Sequence, residues 1–127
     1  QFEARLVMIE VMRSNSIFFK DMLEYQIPIV VAHGEGRAIM RADKDKESAV
    51  MRYIDNNSKV TEKYPYNPNG SKDGLTAFTN EDGRFTIMMP HPERVFLTKQ
   101  FSWFPNEWKN EYSPWMKFFL NAREWLN

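Results

Sequence analysis

Directly after an apolar run, a histidine lies between two prolines, and a glutamate follows two residues after the histidine. His91 is flanked by Pro90 and Pro92, and Glu93 follows. Proline fixes its own φ and pushes the preceding residue toward extended backbone, where residues i and i+2 point the same way. Glu93 can therefore reach the ring of His91. This pattern is typical of a general acid–base histidine with an orienting carboxylate, although the residues alone leave a structural role open.

A second His-x-Glu pair stands in the first half of the sequence. His33 and Glu35 follow the apolar residues 29–32, and Gly34 and Gly36 interleave with them. A buried strand that runs into a glycine-rich turn is a place where sites are often built. Without other information, a structural role is favoured for His33.

Two other functions fit the same residues. Both histidines and both glutamates could surround one zinc or iron ion in a hydrolase, because imidazole and carboxylate suit these metals. That arrangement requires the two strand ends to meet. Alternatively, the aromatic-rich C-terminal third could be a non-catalytic interaction module. Its tryptophans are Trp103, Trp108, Trp115 and Trp125.

The sequence predicts that strands, hairpins and one long helix position these residues. Alternation over residues 1–12 predicts a half-buried strand, and residues 28–32 predict a buried one. Ser14 and Asn15 are candidate N-caps for a short helix ending near residue 23. The remaining predictions are exposed helical turns at 43–49, hairpins over 51–64 and 75–89, a loop at 65–74, and a helix over 113–126 that begins with Ser113 and Pro114 and turns its apolar face to the core.

Length and composition narrow the class of protein. The sequence has 127 residues with 43% hydrophobic content, which suits one domain. Seventeen basic and seventeen acidic residues cancel, so we expect no nucleic-acid partner. No apolar run approaches the roughly 18 residues of a membrane span and no signal peptide is evident, so we expect no membrane association and a cytoplasmic location. The absence of cysteine excludes disulfides and thiolate metal sites within the sequence.

Several strings together resemble the class I, Cys-His-Glu glutamine amidotransferases, in the form found in large single-chain phosphoribosylformylglycinamidine synthases. The most telling string is MMPHPERVF at residues 88–96. The others are FEAR at 2–5, PIVVAHGEGR at 28–37, YPYNPNGS at 64–71 and SPWMKFFLNAREW at 113–125.

The resemblance implies roles for four residues. His91 corresponds to the catalytic base and Glu93 to the third member of the triad, while His33 and Gly34 correspond to a segment beside bound glutamine. The family's cysteine nucleophile lies upstream of these motifs and has no counterpart here. We therefore expect residues 1–127 to be a partial domain, the C-terminal half of a flavodoxin-like α/β domain with a mixed sheet, β-hairpins and a C-terminal helix.

The same resemblance implies a function and partners. The parent enzyme would release ammonia from glutamine for ATP-dependent amidination of formylglycinamide ribonucleotide in purine biosynthesis. The partners would be glutamine and the remainder of the enzyme, namely the upstream amidotransferase half and the synthetase domains. We expect no cofactor or metal in this chain, with ATP and magnesium held by the synthetase part. The isolated chain is expected to be inactive and to self-associate, because half of a wound sheet leaves apolar surface uncovered.

Overall fold

A five-stranded antiparallel sheet organises the chain in the computed structural model, which describes residues 2–127. Gln1, placed at the start of the first strand by the sequence, lies outside the described residues. The strands have the spatial order β2-β1-β3-β4-β5. They are β1 (Glu3–Val11), β2 (Gln26–His33), β3 (Ala49–Ile54), β4 (Leu75–Thr79) and β5 (Thr86–Met88), and a single α-helix, α1 (Met116–Trp125), follows.

The α/β class, the second hairpin and the C-terminal helix are confirmed, whereas the expected mixed sheet is antiparallel in residues 2–127. A parallel pair needs a long crossover, usually a helix. Between the strands of this chain the helical segments are short 3₁₀ turns only. Those between strands are Ile17–Phe19, Asp43–Ser48 and Lys72–Gly74. Two further 3₁₀ turns, Pro92–Arg94 and Thr98–Gln100, follow β5.

The core lies on one face of the sheet, under α1. Alternate residues of β1, namely Val7, Ile9 and Val11, are buried, as their period of two requires. Trp115 is fully buried in front of α1, and its indole N–H donates to the carbonyl oxygen of Pro28 at 2.9 Å. This bond ties the helical end of the chain to β2, which carries His33.

Two predicted elements are wrong. The short helix near residue 17 is a single 3₁₀ turn, because Asp21 and Glu24 take positive φ values of 59° and 68° that a right-handed helix cannot continue through. The first predicted hairpin does not form, since β3 already pairs with β1 on one side and β4 on the other. Residues 60–64 meet it only briefly, through a bridge between Ile54 and Val60 and a hydrogen bond from the Thr61 N–H to the carbonyl oxygen of Tyr53 at 3.3 Å.

The C-terminal helix begins later than predicted and is less buried at its end. Ser113 caps the preceding turn, where its hydroxyl accepts from the Trp115 amide at 3.2 Å. Phe118 is buried, but Trp125 and Leu126 are 51% and 74% exposed. The predicted apolar face is therefore core only over its first two turns. The helical turns predicted at 43–49 are confirmed as the 3₁₀ segment Asp43–Ser48.

Candidate active site

His91 is held by its backbone against β2. Its N–H donates to the carbonyl oxygen of Val30 at 2.8 Å, forming an isolated bridge between the two residues. Pro92 is buried and begins the 3₁₀ turn Pro92–Arg94. The backbone on both sides of the imidazole is thus fixed before any side-chain contact is made.

The His91 ring contacts the carboxylate that the sequence placed beside it. The distance from His91 Nδ1 to Glu93 Oε1 is 2.7 Å. This contact selects the tautomer with the proton on Nδ1 when the ring is neutral, so Nε2 is the nitrogen that can accept a proton. The His91 side chain is 31% exposed, which leaves the ring within reach of a reactant.

The other histidine is arranged differently. His33 lies opposite Glu3 at the end of β2 and is 9% exposed. Its Nδ1 is 2.8 Å from the side-chain amide of Asn69, while Glu35 is exposed. The hydrogen-bond partner of His33 is therefore Asn69, and not Glu35 as the His-x-Glu spacing suggested.

The turn after β2 is packed directly on the His33 ring. A Cβ atom placed on Gly36 would lie 2.0 Å from His33 Cε1, a separation that no side chain tolerates. At Gly34 the same construction meets nothing within 4 Å. A side chain at position 34 would thus meet no neighbour. Position 36 requires glycine, because the His33 imidazole occupies the space that a side chain would need.

The surroundings of His33 favour its uncharged form. Burial is the main cause that lowers the pKa of His33 below its ordinary value of 6.5, and the charge of His91 lowers it further. The two histidines are therefore close enough to interact electrostatically. Nε2 of His33 is buried and has no hydrogen-bond partner among residues 2–127.

An open cavity of about 910 Å³ lies beside the turn. Its wall includes Glu3, Gly34, Tyr64 and Asn69, so the FEAR, PIVVAHGEGR and YPYNPNGS strings meet here. His33 stands behind this wall, in contact with Asn69. Asn69 was missed by reasoning from residue types, and its only signal was its place in the YPYNPNGS string.

Within residues 2–127, no group of three or more His, Asp or Glu side chains is arranged to hold a metal ion. The alternative of a metal-dependent hydrolase is therefore not favoured. Over the same residues, α1 and the short turns include no helix with the length and apolarity to cross a bilayer.

The chain belongs to the family of CobB/CobQ-like glutamine amidotransferase domains, whose model matches residues 1–126. Among solved structures it is similar to PurLQS from Thermotoga maritima, with a TM-score of 0.71 and 25% sequence identity. The match covers 100% of this chain and 49% of that one, so the chain spans about half the length of the structure it matches. These findings confirm the amidotransferase resemblance and the α/β fold.

Proposed function

We propose that this chain supplies the base-bearing part of the glutaminase of a phosphoribosylformylglycinamidine synthase. The observation that carries the proposal is the His91–Glu93 contact of 2.7 Å, placed on rigid backbone within a glutamine amidotransferase domain. The similarity to PurLQS supports the choice among amidotransferases. Because the sequence contains no cysteine, the nucleophile is provided by other polypeptide.

In the first half of the reaction, Nε2 of His91 takes the thiol proton from that cysteine. The thiolate attacks the side-chain amide carbon of glutamine, and the C–N bond breaks as the His91 imidazolium gives its proton to the departing nitrogen. The products are ammonia and a glutamyl thioester. His91 ends this half neutral.

In the second half, His91 acts as a base toward water. Nε2 removes a proton from the water molecule that attacks the thioester carbonyl, and the same proton returns to the sulfur as the C–S bond breaks. Glutamate leaves and the thiol is restored. Glu93 orients the ring through Nδ1 in both halves and stabilises the imidazolium each time it forms.

We propose that the cavity beside residues 34–37 receives glutamine. Gly34 lies on its wall, and a methyl group added to its Cα would have no neighbour within 4 Å, so the backbone there is open to a ligand. His33 contributes from behind, through Asn69 and Gly36. We accordingly retain Gly34 as a contact for glutamine and assign His33 to the support of the pocket.

The ammonia is consumed elsewhere in the enzyme. We propose that synthetase domains outside this sequence bind ATP and magnesium and amidinate formylglycinamide ribonucleotide, in the cytoplasm. This chain's part is confined to glutamine and its amide nitrogen.

Complementation tests the proposal. The chain alone should release no glutamate from glutamine, because the loss of a triad nucleophile costs about 10⁶ in turnover. Combined with the cysteine-bearing polypeptide of the amidotransferase domain, it should regain activity, and His91→Ala in that combination should remove it. Glu81→Gln, an exposed glutamate on the β4–β5 turn, is the matched control and should keep activity. Glutamate release by the pure chain, or full activity of His91→Ala, would refute the assignment.

A further inference from the structure

Asn69 connects two segments that are far apart in the sequence. In the amide orientation that satisfies all its neighbours, its oxygen accepts from the Gly36 N–H at 2.9 Å and from His33 Nδ1 at 2.8 Å. Its NH₂ group then donates to the carbonyl oxygen of Pro68 at 3.2 Å. The opposite orientation would direct the NH₂ group at the Gly36 N–H, which is also a donor.

This arrangement fixes which tautomer the neutral buried histidine adopts. Because the Asn69 oxygen can only accept, His33 must carry a proton on Nδ1, so in the neutral ring Nε2 is a bare acceptor, buried without a partner in residues 2–127. A buried polar group without a partner is costly, and it persists where the surrounding structure requires it.

We propose that Asn69 is a positioning residue, which clamps the turn of residues 34–37 against β2 and holds His33 as the neutral Nδ1–H tautomer beside His91. The consequence for glutamine binding rests on the proposed function, whereas the clamp itself does not. Gly36 also packs directly against the His33 ring, so the turn, the imidazole and the Asn69 amide contact one another.

Burial, more than the surrounding charges, favours a neutral His33 ring at this position. Glu3 faces it from β1 and favours its protonation, but Glu3 is already paired with Arg5 at 3.0 Å. His91 faces it from beyond β5 and opposes protonation. A neutral His33 leaves His91 as the ring that gains and loses a proton during the reaction.

The first test is the tautomer of His33, measured by ¹⁵N NMR on the whole chain. We expect a protonated Nδ1 and an unprotonated Nε2 in the unmodified protein at about pH 7.5, above the ordinary pKa of histidine. In Asn69→Asp the carboxylate keeps both acceptor contacts, and its charge should raise the pKa of His33 by about one unit or more. A proton on Nε2, or an unchanged titration in Asn69→Asp, would overturn the proposal.

The second test follows the Gly36 amide by hydrogen exchange. Asn69→Ala removes the acceptor, so exchange at Gly36 should become about tenfold faster or more, whereas Asn69→Asp should retain the original rate. Asn57→Ala, in an exposed loop, is the matched control and should change nothing at Gly36. If Asn69→Ala fails to fold, the tautomer and the Asn69→Asp measurements still decide the question. An unchanged Gly36 rate in folded Asn69→Ala contradicts the clamp.

The third test uses the amidotransferase completed with its cysteine-bearing polypeptide. Asn69→Ala should raise KM for glutamine about tenfold, the equivalent of one lost hydrogen bond, with a smaller change in kcat. Asn69→Asp should keep the parent KM at alkaline pH, where His33 is neutral in both proteins. An unchanged KM in Asn69→Ala would overturn the positioning role. Retained activity in His91→Ala would instead refute the proposed function, and it would leave the NMR results on the clamp intact.

Discussion

The backbone N–H of His91 is bonded to the carbonyl oxygen of Val30 at 2.8 Å, three residues before His33 on the same strand. β2 therefore positions both histidines. His33 is one of its residues, and His91 is joined to it by a backbone hydrogen bond. The backbone of His91 is fixed independently of Glu93. Substitutions of Glu93 should consequently change the orientation and tautomer of the His91 ring without displacing the His91 backbone.

Glu93→Gln tests this separation of roles. The amide retains the size of the carboxylate but cannot stabilise an imidazolium, and it can bind Nδ1 in the wrong tautomer. We expect kcat of the completed enzyme to fall about 10⁴-fold, the loss seen when a triad carboxylate is made an amide, with KM for glutamine little changed. Steady-state glutaminase kinetics measure both constants, and a fall confined to KM would show that Glu93 binds substrate instead.

The two glycines of the turn offer a matched pair of substitutions. Gly36→Ala forces a Cβ to within 2.0 Å of the His33 ring, so overpacking should cost about 1–3 kcal/mol in the free energy of unfolding. Gly34→Ala meets no atom within 4 Å and should stay within about 0.5 kcal/mol of the parent. Urea denaturation of both variants gives the comparison. Equal midpoints for the two would mean that the turn is not packed on His33.

The sequence was sufficient to predict the contact between His91 and Glu93 because the two residues are close in the chain. Two residues apart, with prolines on either side, they depend on backbone preferences that act over a few residues. The hydrogen bond from His33 to Asn69 spans 36 positions and depends on how the 65–74 loop folds. No local preference contains that information.

The errors in the predicted elements have the same origin. The Asn56–Asn57 turn is a good hairpin signal, yet the strand before it is enclosed by β1 and β4, whose pairing is determined by the whole sheet. The second hairpin was predicted correctly because its turn chemistry is local. Gly83 there has the positive φ of 75° that the sequence required.

Trp115 and Trp125 distinguish core from surface among the tryptophans. In Trp115→Phe the carbonyl of Pro28 loses the indole donor while remaining buried, which should cost about 1–3 kcal/mol in unfolding free energy. Trp125 is 51% exposed, and Trp125→Phe should change stability by less than about 0.5 kcal/mol. Thermal and urea unfolding, analysed together, provide the measurement. The interaction-module interpretation predicts the reverse emphasis, with partner binding lost on substitution of exposed Trp103.

Self-association of the isolated chain remains a prediction, and the structure indicates a surface for it. Ile87 on the edge strand β5 is 71% exposed, and Ile39 across the same groove is 83% exposed. A short apolar edge of this kind tends to pair with a second copy. Ile87→Lys should therefore reduce association in sedimentation velocity. Leu126→Lys, equally exposed at the end of α1, should not, and a monodisperse monomer in the parent chain would contradict the prediction.

The lowered pKa of His33 makes stability depend on pH in a definite window. Unfolded His33 takes up a proton as pH falls through its ordinary value of 6.5, whereas the buried ring does so only at lower pH. The unfolded state thus binds more protons between these two values. The stability contributed by neutral His33 is complete above pH 6.5 and is lost as pH falls toward the lowered pKa.

The effect can be isolated by comparing urea unfolding at about pH 7.5 and about pH 5.5 in the parent and in His33→Gln. Gln keeps a polar group near Asn69 but does not titrate, so the part of the pH dependence that belongs to His33 should vanish. The acidic groups with lowered pKa values, Glu10, Asp73 and Asp82, affect stability at lower pH, since their ordinary values are 4.5 or below. An identical loss of stability in both proteins across this pH interval would show that folding does not lower the pKa of His33.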